Sequence, residues 1–300
     1  GLSLCYNIWV FRRRRKLGMN KVKLFADSTC DLPPALIVRY DISVASLYVT
    51  LGDMSRRDSD LPVGEIFEYA DRTKQTPKTA AVTLEDFLTA FRPFVESGRD
   101  IVYIGLSSKL SSSVPNAAVA AGEFPAGSVE VVDSLNLSSG VGLLLMLAGD
   151  LISQGLGAAE VAARVREATP RVRASFIIDT LTYLHRGGRC SALQAFGANA
   201  LGLKPSIVVE DGAMRPDRKY RGSIVRCAEK YAEDVLAGAE NADRRRAFIT
   251  HSPSGPEVVE AVRAKVTASG MFDAVHEADA GSIVSSHCGP NTIGILYMEK

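Results

Sequence analysis

Several stretches of the chain gather side chains able to do chemistry. At "FADSTCDL", Asp27 and Asp31 stand where an apolar run meets a turn, which allows a phosphoryl-transfer nucleophile. Phosphatases of the haloacid-dehalogenase type space their two aspartates two residues apart, whereas a spacing of four puts the second on the following helix. Ser28, Thr29 and Asp31 equally suit a cap on a helix opening at Leu32-Pro33. In "GLSSKLSSSVPNAAVAA" (105–121) an apolar strand ends in a hydroxyl-rich turn, and a helix begins near Pro115. Unpaired N–H groups and partial positive charge at that helix start, joined by serine hydroxyls, could hold an anion. The P-loop pattern and the second glycine of a nucleophile elbow are both missing, so holding fits better than attack. Serines that merely cap the helix are the plainer alternative.

Two further stretches are cationic. "TYLHRGGRCSALQ" (182–194) sets Arg186 and Arg189 around a Gly-Gly, which reads as a tight exposed loop, and "KYRG" adds Lys219 and Arg221. Together they suit either plain solvation or a surface that meets an acidic partner or a phosphate. Near the end, His287 and Cys288 precede a Gly-Pro turn and an apolar strand, "TIGILYM". His185, His251 and His276 lie in unrelated contexts, so no metal-ligand spacing forms. Adjacent side chains that alternate faces of a strand cannot serve as a Cys-His pair. What remains is an imidazole at a turn, placed to hydrogen-bond a carboxylate, or simply packed beneath the turn.

The elements that must position these groups follow an alternating pattern. Strand-like runs at 21–29, 42–51, 101–106 and 128–134 are separated by helical stretches at 32–41, 61–73 and 83–98. In the third of these, Thr83 and Asp86 stand three apart as a variant of the capping box. A long helical region at 138–169 breaks at Gly155 and Gly157. Such alternation predicts a parallel sheet with helices on its faces. After Pro170 the pattern changes to α+β with a mixed sheet, including a hairpin that turns at Asp211-Gly212. The expected organisation is an extension at 1–20 outside the fold, an α/β domain at 21–170 and an α+β domain at 171–300.

Composition bounds the function classes. Of the 300 residues 46% are hydrophobic and 23% charged, with a formal net charge of +1, which points to neither nucleic acid nor an anionic membrane. Five of the 35 basic residues fall within the first 18, leaving 30 against 34 acidic ones. "FRRRRK" in that segment keeps open a DNA- or membrane-binding arm with at most transient membrane contact. The five cysteines are scattered without a CxxC, which suggests reduced thiols and a cytoplasmic setting. The longest apolar stretch, 140–149, is half a membrane span and reads as a buried helix.

"FADSTCDL", "PKTAAVT", "SSKLSSSVPNA", "VVDSLNLSSGVG", "LHRGGRCSAL", "LGLKPSIVVEDG", "KYRG" and "HCGPNTIGILY" occur in this order across 24–297. The set resembles the DegV family, whose usual forms are DSTxDL, TSQPS, SSxLSGTY, LxRGGR, LKP and HCGPGT. The resemblance implies a two-domain α/β fold holding one long-chain fatty acid between the domains. It also implies presentation of that fatty acid to a separate ATP-using subunit of bacterial fatty acid kinase for acyl-phosphate formation. Carried over, Thr79 and Ser111 would hold the carboxylate, with N–H groups near Ser112 assisting and His287 completing the polar end. Arg186, Arg189 and Arg221 would dock the kinase. No catalytic residue, metal or cofactor is implied; the alternative is a hydrolase or phosphatase using Asp27 or Ser111. The sequence departs from the family pattern where "TSQPS" is "TAAVT", where the usual glycine of "LSGT" is Ser112, and where Asn291 stands in "HCGPNT".

Overall fold

The computed structural model describes residues 21–190 and 202–300; the expected extension at 1–20 and the end of the 182–194 stretch lie outside them. A four-stranded parallel sheet has the order β2-β1-β6-β7, from β1 (Val22–Asp27), β2 (Ile42–Ala45), β6 (Asp100–Gly105) and β7 (Val129–Asp133). The strands β1 and β6 are buried almost throughout, as parallel strands covered by helices on both faces must be. A small antiparallel sheet, β4-β3-β5, comprises β3 (Tyr48–Leu51), β4 (Met54–Arg57) and β5 (Lys78–Ala80). The run 42–51, expected as one strand, is therefore two strands in different sheets. The chain bends at Ser46–Leu47, where Leu47 N donates to Ser28 Oγ.

The second half forms a six-stranded mixed sheet of order β10-β9-β8-β13-β11-β12. Its strands are β8 (Val172–Ile177), β9 (Leu203–Glu210), β10 (Ala213–Arg221), β11 (Ala242–His251), β12 (Val275–Asp279) and β13 (Ile293–Glu299). The β9–β10 hairpin turns at Asp211-Gly212, both with positive φ, as the Asp-Gly pair predicts.

Ten described helices pack on these sheets: α1 (Pro34–Arg39), α2 (Val63–Thr73), α3 (Leu84–Glu96), α4 (Ser113–Ala121), α5 (Ser139–Ser153), α6 (Ala158–Ala168), α7 (Thr182–Gly187), α8 (Ile224–Ala237), α9 (Pro256–Ser269) and α10 (Ser282–Cys288). The Thr83–Asp86 capping box is formed in full. Helix α5 is apolar on nearly every side because it packs against β1 and β6 on one side and β8, β11 and β13 on the other. One hydrophobic cluster accordingly runs from the parallel sheet through α5 to the mixed sheet. A second, containing Tyr231, Val262 and Ile295, lies between the far face of the mixed sheet and α8 and α9.

Three local expectations are corrected. Residues 182–187 form helix α7, not an exposed loop, because Leu184 is buried and anchors one turn. His287 sits in the last turn of α10, not in a turn beside a strand, since Gly281 starts a helix that ends at Gly289. The 3-10 turn Ser28–Cys30 is capped by Asp27, while α1 has no side-chain cap at all. Asp31 instead accepts a hydrogen bond from Gly281 N at 2.8 Å, at the start of α10.

Candidate functional site

The site is built on turns that follow strands. Asp27, fully buried at the end of β1, accepts hydrogen bonds from Thr29 N and Oγ1, from Tyr103 Oη at 3.0 Å and from Leu106 N at 2.8 Å. Burial raises its carboxyl above the usual range, with the hydrogen bonds pulling the other way. With both oxygens engaged and no exposure, Asp27 fixes the β1 and β6 turns and is out of reach of a substrate.

After β6 the chain tightens at Ser107, whose carbonyl accepts from both Leu110 N and Ser111 N. Its hydroxyl donates to Gly212 O at 2.7 Å, which ties this turn to the β9–β10 hairpin. The hydroxyl of Ser111 lies 3.0 Å from Ser113 Oγ and accepts from Ser113 N. Among the described residues no imidazole or carboxylate bonds Ser111, so it has no base. Ser112, at the start of α4, has φ −82° and makes no side-chain cap. A serine in place of the family's glycine is therefore free of backbone strain.

His287 reaches the same place from the far end of the chain. Helix α10 is held at its N-terminus by two buried carboxylates: Asp31 takes Gly281 N, and Asp58 takes Ile283 N at 3.1 Å. Their oxygens satisfy helix-start donors. Burial nevertheless pushes Asp31 up to about 8 and Asp58 up to about 6. His287 Nε2 lies 2.9 Å from Thr79 Oγ1 on β5, while its Nδ1 is buried without a hydrogen-bond partner. Burial, and next the positive charge of Arg189, lower the imidazole to about 4, so it is neutral at physiological pH.

These groups line one cavity of about 430 Å³. Thr79, Ser111, Ser112 and His287 all border it, together with the other residues of the 79–81 and 108–112 segments. The rest of the wall is largely apolar, with Leu47, Leu106, Leu137, Met214, Ile283 and Val284. Lys109 and Arg189 are its charged residues, and no described carboxylate lines it, so the electrostatics favour an anionic head on an apolar body. Part of the wall comes from residues before 170 and part from residues after 171.

A family model described as "Uncharacterised protein, DegV family" matches residues 21–300. The chain belongs to the DegV family. A fatty acid-binding protein of Thermotoga maritima is 30% identical over 285 residues, which are 91% of this chain and 96% of that relative. The solved structure of a DegV family protein from Thermus thermophilus, described for its fatty acid binding, has a TM-score of 0.86 at 32% identity. It covers 93% of this chain and 99% of that one. A fatty acid kinase B3 protein from Streptococcus pneumoniae, loaded with linoleic acid, shares the fold at TM-score 0.81 and 21% identity, over 93% of this chain and 99% of its own.

The sequence-based site residues divide in space. Arg186 donates to Lys74 O at 3.2 Å on the surface, and Arg221 lines a separate basic concavity with Lys219 and Arg226. Arg189, expected on a docking surface, borders the cavity beside His287. The apolar run 141–148, which in sequence suits tunnel lining and core packing equally well, belongs to α5 and packs as core, and of 101–106 only Leu106 reaches the cavity. Sequence reasoning missed Met214 and Ile283, whose roles depend on the hairpin and α10 folding back across the cleft. Asn291 has φ +54°, the left-handed conformation its side chain tolerates, and its Nδ2 donates to Asp179 Oδ2 at 3.1 Å.

Proposed function

We propose that this protein binds one long-chain fatty acid in the 430 Å³ cavity, between lobes formed by residues 21–170 and 171–300. The observation that carries this reading is the convergence of Thr79, Ser111, Ser112 and His287, from segments distant in sequence, on one cavity that also has a row of apolar side chains in its wall. A carboxylate entering it must have its oxygens satisfied. The hydroxyls of Thr79 and Ser111 and the N–H groups at the start of α4 supply donors, and Arg189 supplies a nearby positive charge. His287, neutral and bonded to Thr79, orients that hydroxyl toward the head group. The tail supplies affinity: at ~0.8 kcal/mol per buried methylene, about 16 carbons gain on the order of 10 kcal/mol before ordering costs. What relatives bind, as the Thermotoga and Thermus proteins are described, agrees with this reading.

The protein performs no chemistry on the lipid in this proposal. It presents the carboxylate to a separate ATP-using kinase subunit, which forms the acyl phosphate. Support comes from Arg186 and Arg221, which stand outside the cavity on exposed surface. Calorimetric titration of delipidated protein with palmitate tests the binding. Saturation at one equivalent, with affinity weakened in the Thr79→Val, Ser111→Ala double variant, is expected; undiminished binding by that variant would refute the site.

A further inference from the structure

One wall of the 430 Å³ cavity is a single loop thick. The segment 134–138 follows β7, and its Leu137 lines that cavity, while Leu135 and Asn136 line a second cavity of about 640 Å³. The tip of the β9–β10 hairpin divides in the same way: Met214 lines the first cavity, Glu210 and Asp211 the second. Loop and hairpin are joined. Ser107 Oγ donates to Gly212 O at 2.7 Å, and a Cβ at Gly212 would lie 2.5 Å from Ser107 Oγ and 3.1 Å from Leu135 Cδ2. Glycine, here at φ +80°, is what lets the hairpin approach so closely. The two pieces form one partition between the cavities.

The partition is held against backbone preference. Leu135 has φ +47°, an outlier for a bulky side chain, and Ser138 has φ +51° with ψ −140°. Local bonds fix this shape: Leu135 N donates to Asp133 Oδ1, Asn136 N to Ser134 Oγ and Leu137 N to Asn136 Oδ1, each at 3.0 Å. Asn136 O accepts from Ser107 N at 2.9 Å, and Ser138 Oγ donates to Asp31. Strain that the surroundings maintain in this way marks a place where the position of a side chain matters.

The polar end of the 430 Å³ cavity is its outer end. Lys109, Ser112 and Arg189 are exposed, whereas Leu106, Leu137 and Met214 are buried. A tail anchored at Thr79 and Ser111 runs inward, toward the buried wall that includes the partition. Behind the partition lies open space, with Val208 and Val209 among its lining, instead of packed core.

We infer, on the reading of this cavity as the fatty acid site, that Leu137 and Met214 set the longest acyl chain the protein accepts, by closing the cavity off from the space behind them. Up to that limit each added methylene finds apolar wall and raises affinity about fourfold. Beyond it the extra carbons must displace the partition or stay in water, so affinity levels off or falls. Leu137→Ala thins the partition and opens a way into the second cavity.

Competition titration of a fluorescent fatty acid with saturated acids of about 12 to about 22 carbons, on the delipidated full-length chain, tests this. Wild-type affinity should rise with length and then break. In Leu137→Ala the break should move outward by about two carbons, and acids just past the wild-type limit should gain at least about tenfold. Leu137→Phe should move the break inward. Met214→Ala serves where a buried Leu137 variant does not fold, as thermal melting shows. Val284→Ala, which enlarges the cavity from α10, should leave the break in place. Palmitate binding with no break, an unmoved break in the folded Leu137 and Met214 variants, or an equal shift in Val284→Ala would overturn this inference and leave the fatty acid site standing. No binding of any length by folded wild-type protein would overturn the fatty acid reading, and this inference with it.

Discussion

Gly187 and Gly188 are neighbours, but an added methyl group would act on them through different causes. A Cβ at Gly187 would lie 2.4 Å from His287 Nδ1, and one at Gly188 would meet nothing within 4 Å. Ordinary contact needs roughly 3.5–4 Å, so Gly187→Ala must push the imidazole by about 1 Å. Such a shift stretches the 2.9 Å bond between His287 Nε2 and Thr79 Oγ1 beyond hydrogen-bond range. Losing the orientation of that hydroxyl should cost about 1–2 kcal/mol of fatty acid affinity, a five- to thirtyfold weakening. Stability should fall as well, by about 1–3 kcal/mol, because crowding the buried imidazole outweighs the helix preference of alanine at the end of α7. Gly188→Ala should affect stability alone. Its φ of +67° strains any side chain, for a stability loss of about 1 kcal/mol with lipid affinity kept. Competition titration of a fluorescent fatty acid and thermal melting on both variants read the two effects separately. Wild-type affinity in Gly187→Ala, or equal affinity losses in both, would refute the assigned role of His287.

Further outcomes follow from other parts of the structure. Arg221→Ala should leave lipid retention intact but slow acyl-phosphate formation in a coupled kinase assay; equal losses of both would contradict separate binding and docking surfaces. Asp31 sits at about 8 because of burial, so the stability its neutral form provides is fully present below about 3.8 and is lost as pH rises through about 8. Asp31→Asn should therefore gain on wild type in urea unfolding as pH goes from about 5 to about 8.5, and a pH-independent difference would sink that reading. His287, lowered to about 4, has the opposite sign: the stability of its neutral form is present above about 6.5 and lost as pH falls toward 4, so His287→Gln should melt with less dependence on pH across about 4–6.5. Thr83→Ala removes the capping box of α3 and should cost about 1 kcal/mol of stability without touching lipid binding, as urea unfolding and titration would show.

The sequence announced elements whose signals are local. The Thr83–Asp86 cap, the Asp211-Gly212 hairpin and the break between α5 and α6 at Gly155 and Gly157 are all formed as their residues predict. Thr79, Ser111, Ser112 and His287 were named through motif resemblance, and the fold brings them to one cavity. What escaped depends on contacts across the chain. Asp31 looked like a cap for the helix beside it, but its carboxylate reaches Gly281, 250 residues later. Helix α10 was invisible because "SIVSSHC" is short, weakly periodic and held at its start by Asp31 and Asp58 from the other half. The apolar run 141–148 reads alike as tunnel or core; only the presence of a sheet on each side of α5 decides for core.

The most direct measurement is native mass spectrometry of the full-length protein purified without added lipid. The account predicts one added mass, that of a single long-chain fatty acid, at reduced occupancy in the Thr79→Val, Ser111→Ala double variant. A bare polypeptide mass under gentle ionisation, or an adduct at undiminished occupancy in the double variant, would contradict it.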